Sequence, residues 1–135
     1  MKPVYLDTSV VMRILTGEPE DMARTAEATL CREINAGRKI VILDLVLLES
    51  YFALQHHYGI TKNAALRNLK AFLSEGGVEA ENGKTTMAVL DAVIAGGTKP
   101  GLADRLIHAR AVQGKGVLCT FEKASKKLAG VKVLG

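Results

Sequence analysis

VYLDTSV, residues 4–10, decides how this chain is read. Val4, Tyr5 and Leu6 make an apolar run close to the N-terminus, which suits the first strand of a buried sheet. The run ends on a carboxylate, Asp7, and two hydroxyl residues follow it. In open parallel sheets, ligands bind beyond the carboxyl ends of the strands. A strand that stops on an acid therefore asks whether other acids stand in comparable places.

Further short Val- and Ile-rich runs occur at 40–43 (IVIL), 117–119 (VLC) and 131–134 (VKVL), with a weaker one at 78–80 (VEA). Helical periods fill the gaps. Residues 8–16 open at a hydroxyl cap and close at Gly17 and Pro19, and residues 20–35 carry acids in their first turn. Helices are also expected over 45–58, closed by Gly59, over 62–75 after the cap Thr61, over 85–95 and over 101–113, with a short one near Glu122. Strands that alternate with helices and read apolar on both faces predict an α/β fold. The expected architecture is one domain, residues 1–135, with a mainly parallel central sheet of four to five strands flanked by helices on both faces.

Four acids fit that scaffold as site residues. Glu49 lies on LVLLESYFALQHHY with apolar same-face neighbours Leu45, Val46, Phe52 and Ala53. A carboxylate in a core-facing stripe is costly unless it is paired, protonated or bound to a cation; a Glu at the stripe's edge, reaching solvent or an Arg, is the plain alternative. Asp104 lies early in GLADRLIHARA, whose other inward candidates are Leu102, Leu106, Ile107 and Ala111; complementing the helix dipole is the plain alternative there. Glu122 follows the VLCT strand, as Asp7 follows VYL. Asp44 ends IVIL but is an ordinary helix-cap candidate. Carboxylates gathered in one pocket raise one another's pKa unless cations neutralise them. All-oxygen ligation suits Mg²⁺ or Mn²⁺, one or two ions, which can activate water for attack at phosphorus.

These residues carry a family resemblance. YLDTSVVMRILTGE, ILDLVLLESYFAL, GLADRLIHARA and VLCTFEK, in this order and spacing, resemble a PIN domain, and in size a VapC-type toxin ribonuclease. The resemblance covers almost the whole chain. It implies a Mg²⁺-dependent endoribonuclease that hydrolyses RNA phosphodiesters, the toxin of a toxin–antitoxin pair, with an antitoxin partner and a homodimeric state. It places Asp7, Glu49 and Asp104 on the family's three most regular acidic positions. Glu122 stands where the family usually has Asp, in a TFE rather than a TFD segment, and is expected to reach metal through water. Thr8, Ser9 and Thr120 are supporting residues. Arg13, Arg105, Lys123 and Lys126 are candidate RNA contacts.

Bulk properties agree. The 135 residues are 48% hydrophobic and 24% charged, with a net charge of +4 that mildly favours a polyanionic partner. No apolar tract of about 18 residues is present, so a cytoplasmic protein without a leader or membrane segment is expected. Cys31 and Cys119 read as buried, reduced residues. GVEAENGKT at 77–85 is set aside as a phosphate loop, because five residues rather than four separate Gly77 from Gly83. His56 and His57 are adjacent and diverge, so rim positions are expected; His108 reads as a half-buried neighbour of the Asp104 face. Two other functions compete: a PIN domain in RNA processing or non-catalytic RNA binding, and, remotely, a receiver-like signalling domain phosphorylated on Asp44.

Overall fold

The computed structural model describes residues 1–96 and 99–135. They form two compact units, Met1–Gly83 and Lys84–Gly135. The first unit runs β1 (Val4–Tyr5), α1 (Thr8–Thr16), α2 (Glu20–Asn35), β2 (Ile40–Ile42), α3 (Asp44–His56), α4 (Lys62–Ser74) and β3 (Val78–Ala80). The second runs α5 (Lys84–Gly96), α6 (Leu102–Gln113), β4 (Leu118–Thr120), a 3₁₀ turn at Lys123–Lys127, and β5 (Val131–Val133).

Every strand pairing is parallel, and the α/β class is as expected. In the first unit β2 is central, pairing Ile40 with both Val4 and Val78. Its three residues are all buried, as a parallel strand covered on both faces requires. In the second unit β4 pairs with β5, Leu118 opposite Val131. The five expected strands are thus present, hydrogen-bonded as a group of three and a group of two. β4 begins one residue later than expected, and Val117 before it is exposed. α2 packs against β2, α4 against β3, and α1 against both α2 and α3. The core of the first unit centres on Ile40, Leu47, Leu54, Leu66 and Leu69; that of the second holds Leu90, Leu102 and Leu106.

Local chemistry sets the helix ends. The cap of α1 is Asp7 and not the Thr8 hydroxyl: the Asp7 side chain accepts from the Ser9 amide, while Thr8 is already helical. Gly17 closes α1 at φ 71°, a left-handed conformation that costs glycine nothing. Thr61 caps α4 as expected, accepting from the Ala64 amide. α3 starts at Asp44 rather than 45 and ends at His56 rather than 58. Its first turn is met by the neighbouring loop, since the Asp44 amide donates to Glu81 Oε1 at 2.7 Å and Asn82 Nδ2 donates to Asp44 Oδ2 at 2.8 Å. Glu81 of the discarded phosphate-loop motif therefore serves a helix N-terminus, while Glu79 pairs with Lys39.

Two burial expectations are corrected. Cys31 and Cys119 are both exposed; each lies on an outward position of an element whose other side is packed. The second correction concerns α3. Its buried row is Val46, Leu47, Ser50, Tyr51 and Leu54, whereas Leu45 and Phe52 face outward. α3 is apolar on two sides, so periodicity alone did not reveal which side is inward. On α6, Ile107 likewise points outward while Leu102 and Leu106 are buried.

Candidate active site

Asp7 leaves β1 at its carboxyl end and caps α1, so one local geometry fixes its side chain. Its Oδ1 accepts from the Ser9 amide at 2.8 Å and from the Ser9 hydroxyl at 2.6 Å. These bonds, led by the hydroxyl, hold the Asp7 carboxyl below its ordinary value. The upward shift expected from crowded acids is not what this carboxyl shows; local donors favour its charge.

Thr8 points the other way. Its hydroxyl donates to Glu49 Oε1 at 2.9 Å, across from α1 to α3. Glu49 is exposed on the outward side of α3, not set in a core-facing stripe. The cost of burying it is therefore no argument for a cation. The Thr8 bond replaces that argument, because it brings the carboxylate of α3 beside the residue next to Asp7. A cleft of about 350 Å³ opens here, lined by Thr8, Glu49, Phe52, Ala53, His56 and His57. The histidines take the rim positions expected of them.

Among the described residues, the hydrogen bonds to Asp7 fall on Oδ1 and the one to Glu49 on Oε1. Neither carboxylate is in an ion pair there, whereas Glu20, Glu33 and Glu79 pair with Arg24, Arg38 and Lys39. Each acid thus keeps one oxygen unengaged among the described residues. Within either unit, no three His, Cys, Asp or Glu side chains among the described residues make a ready metal cage. Mg²⁺ does not need one, since it retains several waters and is commonly held by one or two carboxylates. The Asp7–Glu49 donor set fits such an ion.

The remaining candidates lie in the second unit. Asp104 is in the first turn of α6 and partly exposed, and the cap of that helix, Gly101, makes no side-chain bond. Glu122 caps the 3₁₀ turn, its Oε1 accepting from the Ala124 amide at 3.2 Å. Thr120 supports it: the Glu122 amide donates to Thr120 Oγ1 at 2.9 Å. Lys123 and Lys126 are exposed and line a second cleft of about 350 Å³ with Val131, Val133 and Gly135. Arg105 is tied down, its Nε donating to the Pro100 carbonyl at 3.0 Å. Arg13 is half-buried, and its Nε has no partner among the described residues. His108 Nε2 donates to the Ala129 carbonyl at 2.6 Å, a tether from α6 to the chain before β5. The sequence reading missed the Thr8–Glu49 bond and the aromatic lining of the first cleft. The i, i+3, i+7 spacing of Glu49, Phe52 and His56 was the available signal for the lining.

A parallel strand that leads into Asp7, with Asp7 and Glu49 each keeping an unengaged oxygen among the described residues, marks an α/β protein equipped for oxygen-ligand chemistry. The PIN domain family model matches residues 4–131, spanning both units, and the chain belongs to that family. PIN domains are typically nucleases, generally use divalent metal ions and bind RNA. No curated protein and no solved structure matches the chain. No helix among the described residues is long and apolar enough to cross a membrane.

Proposed function

We propose that this protein is a Mg²⁺- or Mn²⁺-dependent endoribonuclease working in the cytoplasm, the toxin half of a toxin–antitoxin pair, with an antitoxin partner and a homodimeric state. The observation that carries the nuclease reading is the Thr8–Glu49 hydrogen bond beside Asp7, which sets two cation-free carboxylates at the end of a parallel strand. The order and spacing of the four acidic motifs support the toxin assignment, and the net charge of +4 suits a polyanionic substrate.

In this reading Asp7 and Glu49 hold the ion, with Asp104 as a further ligand and Glu122 contributing through water. When bound, the ion supplies water activation and charge stabilisation at the phosphorus. The chain's own residues do the positioning. Ser9 fixes Asp7 Oδ1, so Oδ2 keeps one direction. Thr8 fixes Glu49 Oε1 in the same way. Lys123 and Lys126, with Arg13 and Arg105, are the RNA contacts. Single-stranded or looped RNA is the favoured substrate, because its backbone can bend into an open cleft.

The test is cleavage of single-stranded RNA by purified, antitoxin-free protein. EDTA is expected to abolish cleavage, and Mg²⁺ or Mn²⁺ to restore it. Full activity in EDTA would overturn the metal-dependent mechanism. RNA binding without cleavage at any metal concentration would favour the non-catalytic reading of the domain.

A further inference from the structure

The outward side of α3 continues past Glu49. Phe52 and His56 follow at i+3 and i+7, so the three side chains stand in one row. Phe52 is 44% exposed. Its ring lies 6.3 Å from the His56 imidazole with 22° between the planes, a stacked pair. Tyr51 meets the same ring at 5.3 Å and 57°, which steadies it from within the helix. An exposed ring held this way presents a flat face to the cleft that Glu49 and Thr8 also line.

We propose that this aromatic shelf is a nucleobase-stacking subsite for single-stranded RNA, seating one base beside the phosphate that reaches Asp7 and Glu49. The proposal rests on the ribonuclease reading and adds to it the group that positions the strand. Three observations favour a base as occupant. The cleft, at about 350 Å³, lies at the small end of the range of ligand pockets, roughly 300–1,000 Å³, so a base with its sugar suits it. Its polar groups also suit a base: His56 and His57 offer ring N–H donors to a base edge or phosphate, and Glu49 is the one acid lining it among the described residues. A protein segment laid over this face would have to bring its own cation to the Glu49 carboxylate, because burying that group unpaired is costly. A base can lie flat on Phe52 and leave that carboxylate facing water and cation. Stacking on an aromatic side chain tolerates any base, so the shelf would position RNA rather than select its sequence.

The experiment uses single-stranded RNA oligomers carrying 2-aminopurine at successive positions, titrated with the protein in EDTA so that binding is read without cleavage. With wild type, one position is expected to quench strongly. Phe52→Leu removes the ring face but keeps an apolar helix former; it should lose that quench and weaken binding about 5- to 100-fold. Phe52→Tyr should retain both, and His56→Ala should show a smaller loss. Wild-type affinity and quench in both Phe52→Leu and His56→Ala would overturn the shelf and leave the nuclease reading standing. Wild type that neither binds RNA in EDTA nor cleaves it with Mg²⁺ overturns both. Sedimentation of the same variants supplies a control: a changed oligomeric state with unchanged RNA binding makes the face a protein-docking surface and also overturns the shelf.

Discussion

Asp7 carries two duties through one carboxylate. One oxygen is committed to the amide and hydroxyl of Ser9, which is the work of a helix N-cap, and the other is left outward. The sequence suggested that crowding would raise the pKa of this acid. The hydrogen bonds argue otherwise, because they favour the charged form and hold its pKa below 3.8. A depressed pKa means that the stability it contributes is present above the unfolded value and lost as pH falls through the lower folded one. In metal-free buffer, Asp7→Asn should therefore be nearly neutral, since Asn caps about as well as Asp. Asp7→Ala should lose about 1 kcal/mol. Both should abolish cleavage. Melting curves for the two variants, set against RNase rates, separate the cap from the chemistry. A loss of several kcal/mol in Asp7→Asn would make the residue structural. Ser9→Ala should return the Asp7 pKa toward 3.8, readable by NMR titration of the carboxyl.

At the scale of elements, the turn into β3 is the sharpest constraint. Gly77 has φ 92°, and a Cβ there would stand 2.9 Å from the Ile34 side chain of α2. Its carbonyl accepts from the Ile40 amide, at the start of the central strand. Gly77→Ala should cost more than about 1 kcal/mol, from the strained φ as well as the contact. In a chain of this size that lowers the melting temperature by roughly 3–5 °C or more. Gly76→Ala is the control, because a Cβ at Gly76 meets nothing within 4 Å. Equal losses in the two variants would remove the Ile34 contact as the cause. Turn residues also explain which elements were legible in the sequence. α1 and α2 were read to the residue because Gly17, Pro19 and Gly37 bracket them with unambiguous chemistry. α3 was found but misoriented: Leu45 and Phe52 outside mimic Val46 and Leu47 inside, so the pattern left Glu49 between a core-facing stripe and its solvent edge, and the structure puts it outside. The hydrogen bond that does give Glu49 its position joins residues 41 apart, and no local pattern encodes it.

At the scale of the whole molecule, the four acids differ in what already holds them. Asp7 and Glu49 each keep an unengaged oxygen among the described residues, and Asp104 sits in a helix whose cap, Gly101, uses no side chain. Glu122, like Asp7, spends one oxygen on a cap: Oε1 accepts from the Ala124 amide, and its own amide donates to Thr120 Oγ1. Capping therefore does not separate the two acids. The longer side chain, where the sequence resemblance expects Asp, is the reason to rank Glu122 below the others. A graded response is expected. Glu49→Gln and Asp104→Asn should each remove nearly all cleavage, since losing a ligand charge weakens ion binding and charge stabilisation together. Glu122→Gln keeps an oxygen that can still cap the 3₁₀ turn, so any loss reports the charge rather than the fold. It should retain activity with a raised metal requirement, the loss being about 10–100-fold, as for groups that act on a metal through an intermediary. Glu122→Asp should match or exceed wild type if the shorter acid gives up the cap for a direct contact. Cleavage rate against Mg²⁺ concentration for the four variants decides the order, and a Glu122→Gln enzyme as inactive as Asp104→Asn at saturating Mg²⁺ would make Glu122 a full ligand.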